Sequence, residues 1–178
     1  MKALFLDRDG VLNVLRPGDY VKTPDELVML PDVREALALC RPHFDYIFVV
    51  TNQQGIGKGL MSEDDLAAIH RKMMESLGGL VDKIYHCPNL EKDHSFRRKP
   101  NVGMAIEARR EHRGLQLKES TMVGDALSDM LFGRRAGMET VLVGDNRQIA
   151  LTHPWLVDRC YSSLMDYACS LTRGSRRP

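Results

Sequence analysis

Cysteine is scarce in this sequence and follows no pairing pattern: Cys40, Cys87, Cys160 and Cys169 lack the close spacing of a disulfide framework. With no export signal, the simplest reading is reduced thiols in a cytoplasm. Long apolar runs are also missing. None approaches the ~20 residues that cross a bilayer, and the short apolar start, residues 3–6, runs straight into Asp7, too soon for a signal peptide. Neither sign of charge dominates: the formal net charge is +1. Bulk attraction to nucleic acid or a membrane surface is therefore not expected, and an anionic ligand must be recognised locally. Internal repeats, low-complexity linkers and heptad stripes are absent, so a monomer is the default. What is present is an ordinary globular composition, 43% hydrophobic and 28% charged over 178 residues, enough for one core. The expected organisation is a single domain over residues 1–170 and a basic, flexible tail over 171–178.

Short β-rich runs alternate with helical ones. Strands are expected at residues 2–6, 46–50, 81–85, 120–123 and 139–143. Residues 10–30 carry Pro17, Gly18 and Pro24 and read as a loop or small hairpin. Helices are expected at 32–40, where apolar residues recur at 33, 36, 37 and 40, and after Ser62, which caps a helix with Asp65 three residues on. Further helices are expected at 101–112 and at 127–136, the last closed by Gly137. Residues 87–100 are polar and irregular. This alternation predicts an α/β fold, a doubly wound parallel sheet covered on both faces. Ligands of such folds sit beyond the carboxyl ends of the strands.

The polar residues at those ends form one set. The first strand ends in Asp7-Arg8-Asp9-Gly10, the second in Thr51-Asn52-Gln53, the fourth in Gly124-Asp125 with Asp129 one turn later. Arg98-Lys99-Pro100 opens a helix. Alone, Asp-x-Asp reads as a turn and Lys99 as part of a solvated basic run; it is their ordered recurrence at strand ends that carries weight. Clustered carboxylates repel one another unless a hard cation joins them, and Mg2+ prefers oxygen ligands. The chemistry that uses such a set is phosphoryl transfer, which depends on positioning and charge neutralisation. Asp7 is the candidate nucleophile and Asp9 the candidate acid/base. Thr51 is placed to donate to the phosphoryl oxygens and Lys99 to neutralise them. Asp125 completes a metal site, with Asp129 a ligand through water or an orienting group.

These motifs resemble those of the haloacid dehalogenase superfamily. Asp7-Arg8-Asp9-Gly10-Val11-Leu12-Asn13 is similar to its first motif, Thr51-Asn52-Gln53-Gln54-Gly55-Ile56-Gly57 to its second, Arg98-Lys99-Pro100 to its third and Val123-Gly124-Asp125-Ala126-Leu127-Ser128-Asp129 to its fourth. The wording is similar to the D-glycero-D-manno-heptose-1,7-bisphosphate phosphatase and histidinol-phosphatase branch, over most of the chain. The resemblance implies a Rossmann-like core with a minimal cap, a Mg2+ held by Asp7, Asp9 and Asp125, and an aspartyl-phosphate intermediate. Members of that branch often carry a structural zinc in the loop before the third motif, on a Cys-x-His and a later Cys-x-Cys. Here the matching residues are Cys87-Pro88-Asn89 and Ser95-Phe96-Arg97, so no structural zinc is expected. His86 and His94 then read as polar loop residues.

For the substrate, Arg98 is a candidate for a second anionic group, because guanidinium binds phosphate bidentately. Asn52 and Gln53 offer hydrogen bonds to sugar hydroxyls, and Lys58 reaches the rim, with Arg16, Lys22 and Arg97 as weaker candidates. This set suits a phosphorylated sugar, and the resemblance favours the heptose bisphosphate; with little cap to enclose the ligand, a broad phosphatase of small phosphate esters is an alternative. Histidinol phosphate would need a cradle for imidazole, for which Glu26 and Tyr20 are the available residues. A phosphate-loop NTPase is disfavoured: Asn52 and Gly59 stand where that pattern requires glycine and a hydroxyl residue. A receiver-like phosphoacceptor is disfavoured because Asp9 favours turnover over storage, and a decayed binding protein because all the expected catalytic residues are present.

Overall fold

The computed structural model describes residues 1–174. Six strands, β1 (Ala3–Leu6), β2 (Tyr46–Asn52), β3 (Lys83–Cys87), β4 (Thr121–Gly124), β5 (Glu139–Val143) and β6 (Arg159–Tyr161), form one parallel sheet in the order β3-β2-β1-β4-β5-β6. β1 is central and buried along its whole length, as a strand covered on both faces must be. Phe5 pairs in register with Phe48 on one side and Met122 on the other.

Successive side chains along a strand enter opposite layers. Leu4, Leu6, Ile47 and Val49 face a core closed by α1 (Val33–Cys40), α2 (Glu63–Ser76) and α6 (Leu164–Gly174). Ala3, Phe5, Phe48 and Val50 face the other, closed by α3 (Gly103–Glu111) and α4 (Leu127–Ala136). A smaller cluster joins Met130, Leu142, Ile149 and Leu156 around α5 (Gln148–Thr152). The expected capping box at α2 is formed: Asp65 N–H donates to Ser62 Oγ at 3.1 Å and Ser62 N–H to Asp65 Oδ2 at 2.8 Å. Gly137 ends α4 in the left-handed conformation, φ 78°.

Several boundaries differ from the sequence reading. β2 runs two residues further, so Thr51 and Asn52 belong to the strand. β3 starts at Lys83 and carries Cys87 as its last residue. α3 starts at Gly103, whose N–H is held by Phe96 O at 3.0 Å. β6 is a short edge strand whose side chains are largely exposed, which leaves it no apolar signature. The tail expected from residue 171 is corrected in part: α6 continues to Gly174, and residues 175–178 lie outside those described. Strand order reverses between β1 and β4, which opens a crevice beyond their carboxyl ends.

Candidate active site

Three carboxylates meet at this crevice. Asp7 follows β1, and its N–H donates to Val123 O of β4 at 3.0 Å. Asp125 follows β4, and Asp129 lies in the first turn of α4. One carboxylate oxygen from each lies within 4.8 Å of the others. Two glycines permit the approach: a Cβ on Gly10 would collide with the Asp125 carboxylate, and one on Gly124 with the Asp129 side chain. Lys99, almost wholly buried, places Nζ 2.8 Å from Asp7 Oδ1 and 2.6 Å from Asp129 Oδ1. The other Asp129 oxygen accepts the Ala126 N–H at 3.1 Å.

Burial, then the Asp129 charge, push Asp7 up to about 8 against the pull of Lys99. Burial and Asp129 likewise raise Asp125 to about 6. Burial works against the Lys99 charge, but Asp129 and Asp7 outweigh it and hold the ammonium protonated. One ammonium thus serves three carboxylates, and the deficit is one of positive charge. The donor set is all carboxylate oxygen, which fits a hard divalent cation.

The Asp9 carboxylate stands outside this trio. It accepts from Arg8 Nε at 3.1 Å, Arg8 Nη2 at 2.9 Å, Asn13 Nδ2 at 2.9 Å and Gln53 Nε2 at 2.9 Å. Burial would raise its pKa, but the Arg8 charge and these hydrogen bonds hold it below the usual carboxylate range. The sequence reading grouped Asp9 with the metal ligands; the side chain that completes the trio is Asp129.

Gln53, read as a contact for sugar hydroxyls, is 1% exposed. Its amide is fully engaged inside the protein, donating to Asp9 and to Thr51 Oγ1 at 2.7 Å and accepting from Arg8 Nη2 at 3.2 Å. It therefore holds the Asp9 and Thr51 side chains in place. Thr51 is buried beside it and keeps its own hydroxyl hydrogen to donate. Arg8, which the sequence reading passed over, is the largest fully buried side chain. Its remaining nitrogen lies 3.4 Å from His70 Nε2. Burial, then Arg8, depress His70 to about 3 and keep it neutral.

Asn52 also faces inward: it exchanges two hydrogen bonds with the main chain of Lys99. Arg98 borders a pocket of about 340 Å³ beside Lys99, shared with His94, Ser95, Asn101 and Ser128. Lys58 is exposed, with Nζ 5.2 Å from the centre of the Tyr20 ring. The weaker rim candidates are paired elsewhere: Arg16 with Glu26 at 2.8 Å, Lys22 with Asp19 at 2.7 Å, Arg97 with Glu107 at 3.1 Å. The irregular stretch after β3 is tied down by hydrogen bonds. Gly57 N–H donates to Pro88 O at 3.1 Å, Asn101 Nδ2 to Ser95 O at 3.0 Å, and Cys87 Sγ reaches Asn89 Oδ1 at 3.5 Å.

Known proteins match this arrangement. The HAD-hydrolase-like family model matches residues 96–155, which include Lys99, Asp125 and Asp129. D-glycero-alpha-D-manno-heptose-1,7-bisphosphate 7-phosphatase of Mycobacterium bovis is 35% identical, covering 97% of this chain and 94% of the relative. D-glycero-beta-D-manno-heptose-1,7-bisphosphate 7-phosphatase of Mesorhizobium japonicum is 37% identical over 89% of this chain and 70% of its own length. The crystal structure of D,D-heptose 1,7-bisphosphate phosphatase from B. bronchiseptica, complexed with magnesium and phosphate, is 34% identical, with a TM-score of 0.87 over 98% of this chain and 99% of that one. The full-length likeness and the lysine-bridged carboxylates agree: the chain belongs to the HAD-like hydrolase family and is a phosphatase.

Proposed function

We propose that the protein hydrolyses the 7-phosphate of D-glycero-D-manno-heptose 1,7-bisphosphate through an aspartyl-phosphate on Asp7. The observation that carries the chemistry is Lys99, bonded at once to Asp7 and Asp129 at the switch point of the sheet. Asp9 first takes a proton from solvent in exchange for one of its hydrogen-bond donors. An Asp7 carboxylate oxygen then attacks phosphorus while the bond from phosphorus to the sugar oxygen breaks, and that oxygen takes the proton from Asp9. Water then attacks the aspartyl-phosphate, gives its proton to Asp9, and releases phosphate and the free Asp7 carboxylate. Lys99 neutralises charge on Asp7 and on the phosphoryl group, and the Thr51 hydroxyl donates to a phosphoryl oxygen. Asp7 and Asp125 would hold a magnesium ion, with Asp129 a ligand through water or an orienting group, and the ion would supply the remaining positive charge. Asp9 already accepts four hydrogen bonds, the full in-plane capacity of a carboxylate, so either proton transfer requires it to give up a donor.

The relatives' names and the pocket bordered by Arg98 support the substrate. Arg98 suits the phosphate that is retained, and Ser95 and Asn101 suit sugar hydroxyls. Glu26 is held by Arg16 and by the Lys22 N–H at 2.7 Å, which weakens the case for an imidazole cradle and histidinol phosphate. The same reading takes the protein as a monomeric, single-domain enzyme of the cytoplasm. Among the described residues no helix is long and apolar enough to cross a membrane.

The test is phosphate release with Mg2+ over both anomers of the heptose bisphosphate, other sugar phosphates and histidinol phosphate, with Asp7→Asn in parallel. Preferred turnover of one heptose bisphosphate anomer, lost in Asp7→Asn, is expected. Turnover by Asp7→Asn would refute the nucleophile, and preference for histidinol phosphate would refute the substrate.

A further inference from the structure

The amide of Asn52 is not free to read a substrate. Its Nδ2 donates to Lys99 O at 3.0 Å, and its Oδ1 accepts the Lys99 N–H at 3.0 Å. This is the two-point pairing that one residue makes with another across an antiparallel ladder, here made by a side chain. It spans 47 residues of sequence. Asn52 is the last residue of β2, fixed in register opposite Cys87 of β3, and is therefore a rigid anchor. Lys99 has no such support of its own: it lies in the irregular stretch between β3 and α3. Close by, that stretch is tied by the Asn101 N–H to Arg98 O at 2.8 Å and by Arg135 Nη1 to Pro100 O at 3.1 Å. Neither bond reaches the sheet. Nζ must nonetheless sit within hydrogen-bond distance of two carboxylates on two other elements.

We infer that Asn52 is a positioning residue of this phosphatase: its side-chain amide clamps the main chain of Lys99 to the end of β2, and so aims the Lys99 ammonium at Asp7 and Asp129. The inference rests on the phosphatase reading for its kinetics but not for its geometry. Asn52 shares the pocket with Arg98, so a sugar-binding role is the natural rival, and the two roles separate in kinetics. A group that binds ground state and transition state alike changes KM, whereas a group that places a catalytic charge changes kcat.

The test is Asn52→Ala, with Asn52→Asp alongside because it keeps the acceptor for the Lys99 N–H and guards against a variant that does not fold. A misplacement of about an ångström costs on the order of a hundredfold in rate, so kcat for Asn52→Ala is expected to fall toward that size with KM unchanged, and Asn52→Asp to lose less. In a Lys99→Ala background Asn52→Ala should cost nothing further, because it acts through the ammonium that is gone. A raised KM with kcat intact, or a full additional loss in the double variant, overturns the clamp in favour of substrate contact. A crystal structure of Asn52→Ala gives a readout that needs no activity: Nζ is expected to leave Asp7 or Asp129, and an unmoved Lys99 overturns the inference. Inactive wild-type enzyme with a displaced Lys99 in the variant would count against the phosphatase reading alone.

Discussion

Replacing Lys99 by methionine removes one charge and keeps most of the volume, so its effects follow from electrostatics. Nζ makes two charge-assisted bonds, at 2.8 and 2.6 Å, to carboxylates that are themselves buried. Such bonds contribute about 1.5–3 kcal/mol each. Removing one partner of a buried ion pair costs about 3–5 kcal/mol, because the remaining charge has no counterpart. For a chain of this size each kcal/mol is about 2–4 °C in Tm, so metal-free Lys99→Met should melt roughly 6–20 °C below the wild type. Mg2+ offers the stranded carboxylates a substitute: at a hundred times its Kd a ligand returns about 2.7 kcal/mol. Added magnesium should therefore recover part of the lost Tm. It should not recover turnover, because the charge beside the transferring phosphoryl group is gone. Loss of one preorganised stabilising group costs about 10²–10³ in kcat. The assays are thermal unfolding with and without Mg2+, and phosphate release at saturating substrate. Metal-free Lys99→Met as stable as the wild type, or with kcat within tenfold of it, would refute the assignment of Lys99 as the shared counter-ion.

Two other perturbations test neighbouring parts of the site. Asp7 is raised from 3.8 to about 8 in the folded, metal-free protein. Over that window the folded state keeps a proton that the unfolded chain has lost, so metal-free stability should fall as pH rises. Magnesium must displace the same proton, so its affinity should climb toward pH 8 and level off above it; calorimetric titration across that range checks both, and a pH-independent Kd would contradict the shift. Arg8→Met leaves Asp9 with only the Asn13 and Gln53 donors. The Asp9 side chain is 23% exposed, so the loss should lie near about 3 kcal/mol, the low end for a broken buried pair. Without Arg8 the Asp9 pKa rises, and the limb of the pH–rate profile that Asp9 sets should move to higher pH; an unmoved limb would remove Arg8 from the control of Asp9.

The acids that follow β1 and β4 were legible in the sequence because a charged residue at the end of an apolar run has few places to go except the crevice; Lys99, in a basic run, was legible only through its place in the ordered set of motifs. Polar residues at the same ends were harder. An amide at the end of a strand reads alike whether it faces a ligand or a neighbouring loop, and only packing shows that Asn52 and Gln53 turn inward. Arg8 was masked by the two acids beside it: an arginine between two aspartates reads as solvated, yet it is buried against Gln53 and His70. The loop after β3 keeps only Cys87 of the zinc pattern, and the sequence shows nothing in its place. Its hydrogen bonds join residues such as Gly57 and Pro88, far apart in sequence, which no periodicity reveals. The short, exposed β6 and the helices around it carried no comparable signal.

The place of β1 also bears on how the protein is made. Its four residues are wholly buried between a strand that ends at Asn52 and one that begins at Thr121. At ~5–20 residues per second a ribosome takes roughly 6–23 s to travel from β1 to β4. For that interval an apolar strand has a partner on one side at most, with an open edge on the other. Asp7 waits equally long for Asp125 and Asp129. The newborn chain is thus both sticky and inert until β4 has been made, and a product truncated before β4 would offer that edge to chaperones or to another copy of itself.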